Sequence, residues 1–148
     1  MGSHEDLVTN YRFRVWIENQ EVSFSKISGL HMEVKTRMIS KGGTAQITAV
    51  PSKNPRMLKL QRGAYKDGTS LLDKLRPGMY LEQGIIIAVL GRTGEIVMEY
   101  AVDNAFVSRW EISDIDALSG QILIDTFEVA YTDLSILNKM GAKWKNGE

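Results

Sequence analysis

Residues 94–134, GEIVMEYAVDNAFVSRWEISDIDALSGQILIDTFEVAYTDL, read as two long strands joined by a polar turn. Ile96, Met98, Tyr100 and Val102 fall on one face of the first strand, which continues through Phe106, Trp110 and Ile112. The second has Phe127, Val129 and Tyr131 on one face, with Ile122 and Ile124 on the other. Alternation at period two is the pattern of a sheet with a covered face. Strands this long, apolar on parts of both faces, exceed what a small monomer can cover alone. The excess points to assembly and away from catalysis.

The rest of the chain is compatible with one domain around that pair. A chain of 148 residues buries roughly 68–70 % of its unfolded surface, enough for its own core. Eighteen basic residues balance eighteen acidic ones, so no global field recruits nucleic acid or an anionic membrane. The absence of cysteine excludes a disulfide framework and any thiolate metal site. MGSHEDLV at the N-terminus lacks the apolar core of a secretory signal. The longest apolar run, Ile85 to Leu90, is far short of the ~20 residues of a membrane-spanning helix.

Tyr11, Phe13, Val15 and Ile17 alternate with polar or bulky neighbours and predict a first strand opening near Asn10. Val22, Phe24 and Ile27 predict a second, broken at Ser28-Gly29, with extended chain from Met32 to Ile39. Between Met38 and Arg56, Lys41-Gly42-Gly43, Pro51-Ser52 and Asn54-Pro55 are breakers around a short apolar piece. A connection of that length is expected to be functional or mobile. Strand pattern returns from Met57 to Tyr65. Ser70-x-x-Asp73 then resembles a capping box, with Leu71, Leu72 and Leu75 at helical spacing and a stop at Pro77-Gly78. This predicts one short flanking α-helix. A strand from Glu82 to Arg92 and a hairpin turn at Arg92–Glu95 lead back to the long pair. The expected divisions are a flexible N-terminus (1–9), a β domain (10–134) and a fraying tail (135–148).

No catalytic constellation emerges. His4 and His31 have no metal-ligand spacing, and G-x-S-x-G is absent. Lys41-Gly42-Gly43-Thr44 lacks the remaining residues of a phosphate-binding loop, so its glycines read as those of a flexible loop. Asp114 and Asp116, two apart in a loop, read as turn carboxylates that bond nearby amides. Lys35, Arg37, Lys41, Arg56, Lys59 and Arg62 form a mildly basic region whose only nearby aromatic is Tyr65. That is thin for a single-strand nucleic-acid platform, and a solvated or subunit-facing surface is the better reading. Trp16 and Trp110 read as core or interface anchors. No metal, cofactor or catalytic residue is expected.

Three segments in order resemble the tail tube proteins of contractile phages and of phage-tail-like injection systems. They are NYRFRVWI followed by EVSFSKISGLHMEV, then LKLQRGAYKDGTSLLDKL, then the long pair itself with Trp110, Asp116, Ala117, Glu128 and Ala130. Gln61 stands where that family commonly has Lys, and Ala49-Val50-Pro51-Ser52 replaces its usual Leu-Pro-Gly. The resemblance implies a small antiparallel β-barrel or sandwich that joins its neighbours in a six-membered ring. Such rings stack into a hollow tube inside a contractile sheath. The expected partners are other copies of the chain, the sheath protein, baseplate or tube-initiator proteins, and DNA or an effector in the bore, with no membrane anchor. The location implied is a virion tail or an injection particle, assembled in the cytoplasm or acting outside the cell.

On that resemblance, the long connection becomes the candidate ring-to-ring contact, through Lys41, Gly42, Gly43, Ile47, Pro51 and Lys53. The helix becomes the candidate sheath-facing wall, through Ser70, Asp73 and Lys74. Two other readings remain open on sequence. One is a type VI secretion ring protein, tube initiator or baseplate component. The other is an unrelated ligand-binding β-barrel, which requires an enclosed apolar pocket.

Overall fold

The computed structural model describes residues 12–50, 54–63, 71–72, 74–137 and the strand at 143–145. The expected N-terminal segment 1–9 lies outside them. Eleven strands are present among the described residues. They are β1 (Arg12–Ile17), β2 (Gln20–Val22), β3 (Lys26–Ser28), β4 (Thr36–Lys41), β5 (Thr44–Ala49), β6 (Arg56–Gly63), β7 (Tyr80–Leu81), β8 (Ile85–Leu90), β9 (Ile96–Ile112), β10 (Ile124–Leu137) and β11 (Lys143–Lys145).

Nine strands form one antiparallel sheet along the path β2-β1-β8-β9-β10-β6-β3, with β7 added to β9 and β11 to β10; β4 and β5 form a second sheet alone. The two ends of the main path, β2 and β3, are joined by only Ser23, Phe24 and Ser25. That link reaches at most ~14 Å, whereas seven strands laid flat put their outer members about 29 Å apart. The sheet must therefore curl, and its edges approach as in an open barrel. The curl is staggered: β8 pairs with Ile96–Val102 of β9, while β6 pairs with Ile124–Tyr131 of β10.

The inside of the curl is filled. On β10, Phe127, Val129 and Tyr131 are buried at every second position, and on β6 Leu58 and Leu60 meet them. Val15, Ile17, Ile85, Ile87, Val102, Ala105 and Val107 complete the cluster. At one end, Arg62 and Asp125 are buried with an N–O separation of 3.7 Å, and Trp110 Nε1 donates to Asp125 Oδ1 at 3.1 Å.

Three expectations change. First, no helix exists among the described residues. The amides of Lys74 and Leu75 both donate to Leu71 O, a single turn whose Leu71 and Leu75 enter the core. Pro77-Gly78 follows too closely for a longer helix to offset its nucleation cost; Ser70 and Asp73 lie outside the described residues. Second, β9 does not keep one phase. Asn104 adopts φ 52°, and the register with β10 skips Ser108. Val102, Ala105 and Val107 therefore point inward, whereas Phe106 is exposed. A residue in the left-handed region or an extra residue in one strand resets which parity faces the core. Third, β10 runs past the expected boundary at Leu134 to Leu137, and Ser135–Leu137 pair with β11. The expected polar turn is a longer loop, 113–123, with Ile115, Leu118 and Ile122 exposed.

Candidate assembly interface

The stretch expected as a long connection is a hairpin. Gly42 (φ 57°) and Gly43 (φ 82°) supply the two left-handed residues of a type I′ turn. β4 and β5 then pair in full register from Thr36↔Ala49 to Lys41↔Thr44. Met38 and Ile47 are direct cross-strand partners, 61 % and 71 % exposed. Between Lys35 and Val50 the hairpin has three cations, Lys35, Arg37 and Lys41, and no acid. It pairs with no strand of the main sheet among the described residues. An isolated two-stranded hairpin is marginal in water, so an exposed apolar pair on one is a candidate contact surface.

A clasp joins the hairpin to the barrel. The Tyr131 hydroxyl, from the core face of β10, donates to Gly29 O at 2.7 Å and receives the His31 amide at 3.2 Å. Arg56 donates to His31 O at 2.7 Å and to Thr132 O, with its guanidinium 5.1 Å from the Tyr131 ring centre. Gly29 has φ 102°, and a Cβ there would overlap the Met57 carbonyl. Only glycine lets the arm lie this close to β6. At the hairpin's base Val50 N donates to Lys35 O at 2.7 Å.

Of the residues singled out for ring contact, Lys41, Gly42, Gly43 and Ile47 share the hairpin, while Pro51 and Lys53 lie outside the described residues. Lys74 is exposed on its turn. The basic region divides. Lys35, Arg37 and Lys41 stand on the hairpin, Arg56 is committed to the clasp, Arg62 is buried, and Lys59 is the cross-strand partner of Glu128. No continuous cationic track results among the described residues.

A second apolar surface escaped the sequence reading. Register places Met57 beside Ala130, Ala130 beside Phe106 and Phe106 beside Tyr80, one row across β6, β10, β9 and β7 on the outer face. Met57, Phe106 and Tyr80 are all exposed. Phe106 was hidden by the phase reset at Asn104. The next row along is polar: Arg109 bridges Glu111 and Glu128, each at 2.9 Å. Its hydrogen bond to Glu128, with both carboxylate charges, pushes the Arg109 pKa above its ordinary value.

Asp116 is a turn carboxylate as expected, accepting from Leu118 N at 3.0 Å. His31 Nε2 lies 3.0 Å from Glu33 Oε1. No group of three or more His, Cys, Asp or Glu among the described residues is placed to hold a metal. No helix among them is long and apolar enough to cross a membrane.

The same fold occurs in known contractile machines. A chain of the sheath–tube complex of an extracellular contractile injection system (PVC) in its extended state superposes with a TM-score of 0.78 at 23 % identity, covering 90 % of this chain and 93 % of that one. A chain of the anti-feeding prophage tube-terminating cap gives 0.77 at 21 % identity, covering 89 % and 91 %. Hcp1 from Salmonella typhimurium is a looser match, 0.55 at 11 % identity over 94 % and 93 %. No curated protein matches the chain by sequence. The sequence profile of the T4-like virus tail tube protein gp19 family, however, matches residues 9–135. That span covers β1 to β9, all but the last two residues of β10, the clasp and the hairpin, so the chain belongs to the gp19 tail tube family and is a structural tube subunit.

Proposed function

We propose that the chain forms hexameric rings that stack into the inner tube of a contractile tail or injection apparatus. The observation that carries this reading is the basic hairpin, with Met38 and Ile47 held open by a clasp rather than folded onto their own barrel. A ring above or below supplies the cover, through Lys41, Gly42, Gly43 and Ile47, with Pro51 and Lys53 continuing the same segment. The surface receiving it combines apolar side chains with carboxylates. Lys74, with Ser70 and Asp73 beside it in sequence, faces the sheath. Baseplate or initiator proteins start the stack, and DNA or an effector passes through the bore. The tube acts mechanically: sheath contraction drives a rigid column whose stiffness sums many backbone hydrogen bonds of ~1 kcal/mol each. The particle is a virion tail or an injection machine working outside the cell that built it.

The closer superposition on injection-system chains than on Hcp1 favours this reading over a type VI ring. A filled barrel interior weighs against a ligand-carrying barrel. Negative-stain microscopy of the purified chain, with and without deletion of residues 41–53, tests the proposal. Annular particles or hollow tubes are expected from the full chain, and rings that do not elongate from the deletion. Solid or open aggregates without an axial hole would overturn the ring, and normal tubes from the deletion would overturn the hairpin's role.

A further inference from the structure

We propose that the 113–121 loop of one copy docks into a groove on the flank of the next copy, linking neighbours within a ring head to tail. The inference rests on the ring reading above and names the lateral contact that reading leaves open.

The groove follows from the way the sheet closes. β2 pairs only with Val15–Ile17 of β1. The first half of β1 therefore has no strand on that side among the described residues, and β3 stops short of covering it. An open groove of about 710 Å³ results, with Phe13 and Tyr100 on one wall and Phe24, Ile27 and Leu30 on the other. The exposed cations Arg12 and Lys26 also line it. Its chemistry is an apolar floor with two positive charges.

The loop presents the complement. Ile115 and Leu118 are 80 % and 96 % exposed, more than any strand in the molecule asks of an aliphatic side chain. Asp114 and Asp116 flank Ile115. The loop is already shaped, because Asp116 accepts from the Leu118 amide and its carbonyl from the Ser119 amide. Docking therefore costs little ordering entropy. Exposure of both side chains shows that the loop does not occupy its own groove. Loop and groove are different patches, so the contact is heterologous and repeats from copy to copy until rotation closes it. Two aliphatic side chains beside two carboxylates suit three aromatics beside two cations better than a small neutral ligand does.

Because the chain has no cysteine, introduced thiols report without ambiguity. Lys26→Cys with Asp114→Cys, treated with a short bismaleimide, is expected to give a ladder ending at the ring; each single variant is expected to give none. Annular particles without a ladder, or a link confined to one chain, overturn the contact. A ladder without annular particles keeps the contact and overturns the ring. As a second readout, Arg12→Glu with Lys26→Glu is expected to raise the concentration needed for assembly about tenfold or more. Adding Asp114→Lys to that chain is expected to recover part of the loss; no recovery overturns the charge pairing. Circular dichroism of each variant separates lost contact from lost fold.

Discussion

The β6–β10–β9 face of the barrel and the β4–β5 hairpin follow the same local rule and reach opposite outcomes. Both carry an apolar stripe along one face, and both pair in antiparallel register. On β10, Phe127, Val129 and Tyr131 are fully buried, while Met38 and Ile47 on the hairpin are mostly exposed. Period two states that one face wants cover, and not who provides it. The barrel covers its stripe with its own strands. The hairpin, anchored through the Tyr131–Arg56 clasp, keeps its stripe exposed, and the proposed stacking gives that stripe to another molecule. On the proposed stacking, stability of the barrel is a property of the chain and stability of the hairpin is a property of the assembly.

Breaking the barrel side should give the largest effect. Phe127→Ala removes a fully buried ring between Leu60 and Trp110, its cross-strand partners. A cavity of that kind costs ~3–5 kcal/mol, measurable as a lower midpoint in urea unfolding of the monomer. The clasp comes next. Tyr131→Phe deletes the hydroxyl that serves Gly29 O and the His31 amide and leaves both without it. The expected loss is about 1–3 kcal/mol, with faster hydrogen exchange at His31 than in β10. Unchanged exchange at His31 would show that the arm is held by other contacts.

On the hairpin, Met38→Asp with Ile47→Asp should leave unfolding of the barrel within about 0.5 kcal/mol of the parent, as for other exposed sites. Tube growth should fail, because two carboxylates would face the covering ring. A large loss of monomer stability would mean that the hairpin packs on its own barrel after all. Comparing this pair with Phe127→Ala separates the two regions directly.

What the sequence made legible follows the same division. Parity along residues 125–131 identified the core face because β10 is regular there. The same parity misplaced Phe106, since Asn104 and Ser108 reset the phase through backbone conformation that no side-chain pattern announces. Lys41-Gly42-Gly43-Thr44 was read as a flexible loop because two adjacent glycines break structure as readily as they make a type I′ turn. Register with residues outside the turn decides which. Leu71 and Leu75 carried a true burial signal attached to the wrong element. Their spacing fits a helix, and a single turn ended by Pro77 uses it equally well. The apolar row Met57–Ala130–Phe106–Tyr80 belongs to four strands and exists only once their register is known.

The smallest effect expected lies at the outer edge of the barrel, where β1 and β2 meet. Arg14 donates to both Glu21 oxygens, at 2.8 and 2.6 Å, and stacks 5.0 Å from the Trp16 ring centre. The hydrogen bond from Arg14 is the main reason the Glu21 carboxyl sits below its ordinary pKa, with charge attraction adding and burial opposing. A depressed pKa in the folded state stabilises the fold above the pH at which an ordinary glutamate titrates, about 4.3. That contribution disappears as pH falls through the lower, folded value. Glu21→Gln should therefore be slightly less stable than the parent at pH 7 and indistinguishable from it at the acid end of a urea series. The pair is exposed, so salt should shrink the neutral-pH difference too. No ion pair spans the hairpin among the described residues, whose charges between Lys35 and Val50 are all positive. Its monomer signal should show no such acid-dependent step. A step of the same sign in hairpin exchange would mean that a carboxylate from the same chain already covers it, and the division between self-supplied and borrowed stability would then fail at the hairpin.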